Sequence, residues 1–577
     1  MYTITIDETR DALLTDFSKA TLSDRYLLAG ETYQGLFARV SSAYAGNEEH
    51  AQRLYDYMSK LWFMPSTPVL ANGGTTRGLP ISCYLNEVED SMQGIIDTWA
   101  ENNWLACKGG GIGTYWGNVR SLGETVGEVG KTSGVIPFLK VQDASTLAVS
   151  QGNLRRGSSA VFLDVSHPEI EEFIDVRRPT GGDHNRKSPN IHHGVVITDA
   201  FMEAVEKDAD WDLVSPKTKQ IMSTVKARAV WIKILLARLE TGEPYIVYID
   251  NVNNNIPVHH EAHGLYVKTS NLCAEITLPT GRDHLGNNRT AVCCLSSLNL
   301  EKWSEWSEDS QLIFDVMWFL DNVLQDFIDN APDTFMQAKY AAMRERSVGL
   351  GVMGFHSLLQ QKKVPFESVM ALSWNKIIFA HIREQADTAS KSLALEKGSC
   401  PDAEELAILE RFSNKLAIAP TASISIIASN SSPGIEPYAA NAFTHKTLSG
   451  SFSVRNKNLA SLLRQYGKDN EETWSDIARN EGSVAHLDFL TQDEKDVYKT
   501  AMEMDATWVI ELAAGRTPYI CQSQSVNLFL PANISKKDLH QVHFAAWKKG
   551  MKSLYYCRST SLQRAEVVSN TECIACQ

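Results

Sequence analysis

The sequence lacks the features that mark membrane proteins and nucleic-acid-binding proteins. No apolar run approaches the roughly 20 residues that cross a bilayer, and the N-terminus MYTITIDETR has acidic residues where a signal peptide needs basic ones. Basic residues are in deficit, with 55 Lys and Arg against 69 Asp and Glu. Because nucleic-acid-binding proteins neutralise phosphates with broad basic surfaces, we expect a cytoplasmic protein with no membrane or nucleic-acid partner.

Cysteine is also scarce, and no metal motif is complete. Ten cysteines in 577 residues are too few for a disulfide scaffold, so we expect thiols, some of them functional. Cys573 and Cys576 form one CxxC, but no second pair completes a zinc site. His259, His260 and His263 have ligand-like spacing without the HExxH order. We therefore predict a surface loop there and no metal site.

The apolar pattern predicts an α/β protein with helices at its N-terminus. Residues 1–64 show three- and four-residue apolar spacing, which is typical of helices. From residue 65 to 564, short apolar stretches alternate with longer helical patterns, as in a parallel α/β fold. Charged residues crowd 456–494, which predicts a surface insertion outside the core. Residues 565–577 lack periodicity and are predicted to be a flexible tail.

The segment SNLCAEITLP contains the most informative group of side chains. Asn271, Cys273 and Glu275 alternate and would project to one side of an extended loop. Glu275 could act there as a base, Cys273 as a hydrogen-atom acceptor, and Asn271 could orient the carboxylate or a substrate. The alternative is a loop cysteine beside a solvated carboxylate.

The chain resembles the large, catalytic subunits of class I ribonucleotide reductases from about Pro65 to its last residue. The resemblance rests on segments that occur in the family's order: MPSTPVL with PISC, GGGIGTYWGNVR, SQGNLRRG, SNLCAEITLP, AVCCLSSLNL, RSVGLGVMGF, APTASIS with GIEP, and SLYYC. It implies a ten-stranded α/β barrel with Cys273 on a loop through its centre, flanked by N-terminal helices. About 64 residues precede the STP motif, too few for the family's ATP-cone. A viral source, and then a location in the host cytoplasm, fits this compact form.

By the resemblance, a thiyl radical on Cys273 removes the 3′-hydrogen of the ribose while Glu275 accepts the proton of the 3′-hydroxyl. Asn271 belongs to the same site. Cys83 and Cys293 supply two electrons and become a disulfide, although Cys294 is a neighbouring alternative. Disulfide geometry requires Cα atoms within about 7 Å, so these two sites should adjoin inside the barrel.

The tandem tyrosines Tyr555 and Tyr556 resemble the relay that passes an electron and a proton between the large subunit and a ferritin-like, radical-generating small subunit. Two strand tyrosines are the alternative. The metal cofactor would belong to that partner, with no cofactor covalently bound to this chain. Cys573 and Cys576 would reduce the Cys83–Cys293 disulfide and be re-reduced by thioredoxin or glutaredoxin.

Substrate and effector sites are also implied by the resemblance. A nucleoside triphosphate effector (a deoxynucleotide or ATP) would control specificity and induce a homodimer, and ribonucleoside diphosphates would be the substrates, with triphosphates as the alternative. Hydroxyls and free N–H groups in PTASIS suit a phosphate, although a simple helix cap is the alternative. The substrate candidates are Thr67, Ser82, Gly111, Pro420, Thr421, Ala422, Ser423 and Ile424, and the effector candidates are Asp90, Arg120, Gln151 and Arg155.

Three other interpretations remain open from the sequence. A class II enzyme would use adenosylcobalamin and need no tyrosine relay, and a class III enzyme would need a glycyl-radical segment, which we do not find. A non-catalytic nucleotide-binding regulator on the same scaffold would have no reason to keep Cys83, Cys273, Cys293 and Glu275. Tyr555 and Tyr556 favour class I.

Overall fold

The structure is a computed structural model. It describes residues 2–81, 83–128, 130–151, 155–156, 158–179, 181–447 and 450–559, and only the backbone of 150–151, 155–156, 445–447 and 450. Two sheets dominate the described part. Their strands are β1 Phe63–Pro65, β2 Cys83–Glu87, β3 Gly111–Tyr115, β4 Ser158–Asp164, β5 His192–Ile197, β6 Tyr245–Tyr248, β7 Ala291–Val292, β8 Leu295–Asn299, β9 Gly349–Met353 and β10 Ser553–Leu554.

The larger sheet has seven strands in the order β7-β2-β3-β4-β5-β6-β10. Strands β2 to β6 are parallel, and β7 and β10 pair antiparallel at the two edges. The smaller sheet has the order β1-β8-β9. Only Cys293 and Cys294 separate β7 from β8, so the two sheets meet at this dipeptide. The predicted α/β barrel is confirmed, with its ten strands divided between the two sheets.

Helices surround the sheets and bury their outer faces, as parallel strands require. Val161, Val195 and Ile246, from three neighbouring strands, belong to one continuous apolar core with the helices. The helices of eight or more residues in the described part are α1 Asp16–Arg25, α2 Tyr33–Tyr44, α3 Glu48–Ser59, α4 Met92–Cys107, α5 Val135–Ala148, α6 Asp199–Glu206, α7 Ala227–Thr241, α8 Leu312–Asn330, α9 Met336–Glu345, α10 Val369–Lys397, α11 Lys457–Gln465, α12 Glu471–Arg479, α13 Ala506–Arg516 and α14 Lys536–Lys548.

The N-terminal helices begin where the sequence supplies a capping side chain. Thr15, Thr32 and Asn47 each accept a backbone N–H from the first turn of α1, α2 and α3, which satisfies a donor that the helix leaves unpaired. The predicted helical region before the barrel is confirmed. Among the described residues, no helix is long and apolar enough to cross a membrane.

Residues 456–494 lie outside the continuous core of the barrel, as predicted, but they are not a purely polar surface. Leu459, Leu463, Trp474 and Ile477 lie on α11 and α12, and they pack into a separate apolar cluster. The charged residues of this segment occupy the other faces of two short amphipathic helices. Among the many charged residues, we overlooked apolar residues at three- and four-residue spacing, which indicate amphipathic helices.

Candidate active site

The segment 268–278 runs as a buried loop against the inner face of the larger sheet. A Cβ on Gly113 of β3 would lie 2.0 Å from the carbonyl oxygen of Ser270, so only glycine allows this approach. From the other side, hydroxyl groups of Ser525 and Ser553 donate to the carbonyls of Cys273 and Ala274. These serines lie some 250 residues or more from the loop in sequence, so no local pattern pointed to them.

The loop turns tightly where the sequence predicted an extended chain. Ala274 has a φ of 62°, and its N–H donates to the carbonyl of Asn271. The Oδ1 atom of Asn271 also accepts the backbone N–H groups of Glu275 and Ile276. The predicted extended conformation is therefore wrong: the Asn271 amide closes the turn and points its Nδ2 at Cys83.

Two thiols lie next to this turn: Cys83, at the start of β2, and Cys293, between β7 and β8. Sγ of Cys293 lies 2.8 Å from Sγ of Cys83, and the Cys293 N–H donates to the Cys83 carbonyl. The Asn271 Nδ2 lies 3.3 Å from the Cys83 sulfur. Cys294 points away, and its thiol faces the carbonyl of Leu320 in α8. The adjacency expected for Cys83 and Cys293 is confirmed, and the neighbouring thiol does not share it.

Glu275 is a fully buried carboxyl beside these thiols. Its Oε2 accepts the Ser525 hydroxyl at 3.1 Å, while its Oε1 accepts no hydrogen bond from the described residues. Burial, followed by the charge of a Cys83 thiolate, raises the pKa of Glu275 to about 8, despite the opposing hydrogen bonds. Burial likewise raises the pKa of Cys293 far above its usual value, and the Cys83 thiol adds to this. The site therefore favours protonated groups and leaves one carboxyl oxygen available.

Cys273 is connected to a column of tyrosines. The Tyr555 hydroxyl lies 3.4 Å from the Cys273 sulfur. The rings of Tyr555 and Tyr556 follow each other with centroids 4.2 Å apart. Cys273 and Tyr555 are 1% and 3% exposed, whereas Tyr556 is partly exposed. The column thus leads from the buried thiol toward the surface.

Around this column lie three residues that the sequence analysis missed. Tyr245 packs against both tyrosine rings, at centroid distances of 4.9 and 5.2 Å. His192 lies beside Tyr556, and Glu243 lies beside His192. The aromatic stretch EPYIVYI in the sequence was the only available indication of this group.

The candidate substrate residues come from several parts of the chain. Gly111 begins β3 directly opposite Cys83 in β2, and Thr67 follows β1 and bonds to the Tyr26 hydroxyl. Thr421, with a φ of 54°, accepts the N–H of Gly434 from the GIEP segment. The helix after the 420–424 segment has only four residues, Ile424–Ile427. Ser82 lies outside the described residues.

The candidate effector residues lie at the ends of α4 and α5. Asp90 directly precedes the N-cap of α4, and Arg120 donates to both of its carboxylate oxygens at 3.0 Å. Gln151 and Arg155 lie opposite each other in a short two-stranded ribbon after α5, but their side chains are not described. Cys573 and Cys576 lie outside the described residues.

The HHEAH segment is not the surface loop that the sequence predicted. His259 and His260 lie in a short helix, Val258–Ala262, and are 3% and 1% exposed. His263 stacks on His284, and both Nε2 atoms lie within 3.5 Å of Glu405. His263, His284 and Glu405 are potential metal ligands. The Nε2 of His263 is, however, also bonded to the Asp402 carbonyl.

Comparison with known proteins agrees with this geometry. Residues 12–78 match the family described as ribonucleotide reductase, all-alpha domain, and residues 81–410 and 410–557 match its barrel domain. The chain is 42% identical to a putative ribonucleoside-diphosphate reductase large subunit of Frog virus 3 and 40% identical to the large subunit of Invertebrate iridescent virus 3, covering 98% of this chain and 97% of each relative.

A solved structure supports the same assignment. The class Id ribonucleotide reductase alpha subunit of Actinobacillus ureae superposes with a TM-score of 0.85 at 32% identity, covering 96% of this chain and 98% of that one. Fold, site and sequence agree over nearly the whole length. The chain belongs to the ribonucleotide reductase large-subunit family.

Proposed function

We propose that this chain is the catalytic subunit that reduces ribonucleoside diphosphates to 2′-deoxyribonucleotides. The observation that carries the proposal is the meeting of three buried thiols with Glu275 at the centre of the barrel. Cys83 and Cys293 are in sulfur–sulfur contact, and the Asn271 amide joins them to the loop of Cys273. The three thiols and the carboxyl that the reaction requires are therefore close together in one buried site.

The chemistry begins at Cys273. As a thiyl radical, its sulfur takes the 3′-hydrogen of the ribose, so that an S–H bond forms as the C3′–H bond breaks. Glu275 accepts the proton of the 3′-hydroxyl, for which its Oε1 has no hydrogen bond from the described residues. The 2′-hydroxyl then leaves as water after protonation by Cys83.

Two electrons and two hydrogens balance the reduction. Cys83 and Cys293 supply them and become a disulfide, while C2′ gains a hydrogen. Cys273 then returns its hydrogen to C3′ and is a thiyl again. The buried pair is out of reach of a large reductase, so the tail cysteines Cys573 and Cys576 would exchange with it before thioredoxin or glutaredoxin reduces them.

The oxidant that makes the thiyl comes from outside this chain. A large subunit of this family has a small-subunit partner, which we take to be a ferritin-like protein that holds the metal and the radical. The radical would pass from Tyr556 to Tyr555 and then to Cys273. This path is supported by the 4.2 Å separation of the two tyrosine rings and the 3.4 Å contact of Tyr555 with the sulfur.

Nucleotide effectors would act at the ends of α4 and α5. We assign the effector to Asp90, Arg120, Gln151 and Arg155, with Asp90 exchanging Arg120 for a deoxyribose hydroxyl. The same two helices expose apolar side chains, an unusual surface for a monomer. We assign that surface to an effector-induced homodimer; its large exposed side chains are Met92, Ile96, Trp104, Val141 and Leu147.

The 420–424 segment, with Thr67, Ser82 and Gly111, would hold the substrate. Thr421 and Ser423 are nearly buried. Their hydroxyls and the turn's backbone N–H groups suit a diphosphate. The glycine at 111 lets the ribose approach the strand that carries Cys83.

A reconstituted assay tests the proposal. The purified chain, a metal-loaded small subunit and a dithiol should convert a ribonucleoside diphosphate to its deoxy form, and Cys273→Ser should abolish the conversion. Cys294→Ser is the matched control, because that buried thiol faces α8, and it should retain activity. Activity unaffected by Cys273→Ser would refute the mechanism. Turnover with adenosylcobalamin alone would refute the small-subunit requirement.

A further inference from the structure

The outer tyrosine of the column, Tyr556, lies beside a histidine–carboxylate pair. Its phenolic oxygen is 3.4 Å from Nδ1 of His192, and the two rings meet edge to face. The same Nδ1 lies 2.6 Å from Oε1 of Glu243. The side chain of His192 is 12% exposed and that of Glu243 only 1%. The histidine therefore lies between a buried carboxylate and the partly exposed phenol.

The charge of Glu243 decides which atom carries the proton. Burial acts to raise the pKa of Glu243, but Arg177, His192 and His193 together hold it well below its usual value. A carboxylate only accepts hydrogen bonds, so a 2.6 Å contact requires the hydrogen to be on Nδ1. The oxygen of Tyr556 is then a second acceptor for the same N–H.

Three further contacts of Tyr556 involve its ring or its backbone. The Arg558 guanidinium lies over the ring, 5.6 Å from its centroid, and Tyr245 meets the ring edge to face. Asn527 accepts the backbone N–H of Tyr556. His192 thus contributes a direct polar contact to the phenolic oxygen, the atom where the chemistry of a tyrosyl radical occurs.

We propose that His192, oriented by Glu243, is a positioning residue for radical transfer, donating its Nδ1–H to the oxygen of Tyr556. The inference rests on the proposed function, since it requires Tyr556 to be oxidised. Tyr556 would give one electron to the radical-bearing small subunit and its hydroxyl proton to water or a base of that partner. The O–H bond breaks, and the Nδ1 hydrogen stays on His192.

The hydrogen bond would matter most after this step. A phenoxyl oxygen has no hydrogen of its own and can only accept, so a fixed donor stabilises the radical at this position. Tyr556 then takes an electron and a proton from Tyr555, whose hydroxyl takes the same from the Cys273 thiol. Glu243 acts through His192, because it prevents the imidazole from presenting an unprotonated Nδ1 to the phenol.

High-field EPR of the full-length chain with its small subunit and substrate tests the proposal. A 3-aminotyrosine at position 556 is easier to oxidise than tyrosine and should trap the radical there. In D₂O, the parent should show a coupling to an exchangeable deuteron beside the oxygen. His192→Leu should remove this coupling and raise gx, and His192→Gln should restore part of it, since an amide also donates.

With natural Tyr556, His192→Leu should lower turnover about tenfold, the effect of losing one hydrogen bond to a reacting group, while KM for the nucleotide stays unchanged. His486→Leu is the matched control. It makes the same change at an exposed histidine that bonds to Asp476 instead of Glu243, so gx should stay at the parent value.

The outcomes separate the two proposals. An identical gx and deuteron coupling in parent and His192→Leu would overturn the role of His192 and leave the proposed function intact. If the parent traps no radical at position 556 while remaining an active reductase, the tyrosine path itself is wrong. If Cys273→Ser remains active as well, the proposed function fails.

Discussion

Glu275, the base that we propose, has surroundings that oppose its charged form. Burial raises its pKa to about 8, so the carboxylate needed to accept the 3′-hydroxyl proton is a minor form at pH 7. The motif predicted this residue, but the raised pKa could not be predicted from it, because burial depends on the barrel that encloses the loop. The environment makes the rate of the chemical step sensitive to pH.

We expect single-turnover rates to rise with pH and to level off above about pH 8, because deprotonation through that pKa creates the base. Glu275→Gln should lose most of the rate and the pH dependence together. A rapid-quench measurement of deoxynucleotide formation between pH 6 and 9 checks both. A parent rate that is flat over this range would argue against Glu275 as the base.

The same shift affects stability. The folded carboxyl keeps a proton that the unfolded chain loses near its ordinary pKa of 4.5, so the free energy of unfolding falls as pH rises from about 4.5 to 8. Glu275→Gln removes this titration. Its unfolding midpoint in urea should therefore exceed that of the parent at pH 9 and approach it at pH 5.

Some residues of the site could be predicted from sequence and others could not. Cys83, Cys273 and Cys293 stand in recognisable segments, and their adjacency follows from the chemistry that the resemblance implies. His192 and Glu243 stand 51 residues apart with no motif, and they meet because β5 and β6 pair in parallel. That pairing register is not encoded in a local pattern.

At the level of elements, the buried loop depends on one glycine of a central strand. Gly113 in β3 allows the Ser270 carbonyl to lie where any other residue would place a Cβ. Alternating residues led us to predict an extended loop, whereas the Asn271 side chain closes a turn. Local patterns cannot reveal such a turn, since it depends on how closely the sheet approaches.

Gly113→Ala should displace the loop, since the new Cβ would lie 2.0 Å from a backbone atom. Displacing Cys273 by about 1 Å should cost about 100-fold in kcat, with about 1–3 kcal/mol of stability lost to overpacking. Gly515→Ala on α13 is the control, because its Cβ would meet only side chains, the nearest at 3.2 Å. Equal activity in the two variants would contradict the account.

The same reasoning explains why two polar segments were described incompletely. We predicted a surface loop for HHEAH and a surface insertion for 456–494, yet each segment buries one face. His259 bonds to Ser413, more than 150 residues away, and Trp474 packs in a small cluster of its own. Composition reports exposure only on average.

At the scale of the whole molecule, an exposed apolar surface supports the proposed homodimer. The helices α4 and α5 leave Trp104 54% and Leu147 64% exposed and lie next to the candidate effector residues. Sequence predicted the homodimer only through the resemblance, because helical periodicity does not distinguish a surface that another subunit covers from one that the core covers.

Trp104→Glu should keep the chain monomeric when a nucleoside triphosphate effector is added, because it places a charge in the proposed contact. The effect on the folding of the monomer should be within about 0.5 kcal/mol, as for exposed positions generally. Sedimentation velocity with and without effector measures this. Effector-induced dimerisation equal to that of the parent would place the dimer surface elsewhere.

The central claim is that turnover consumes the Cys83–Cys293 thiol pair through a radical on Cys273. The most direct measurement uses pre-reduced chain with Cys573→Ser and Cys576→Ser, a small subunit and no external reductant. The account predicts about one deoxynucleotide per chain, with Cys83 and Cys293 recovered as a disulfide by mass spectrometry and no product when Cys273→Ser is added. Product formed with both thiols still reduced would contradict it.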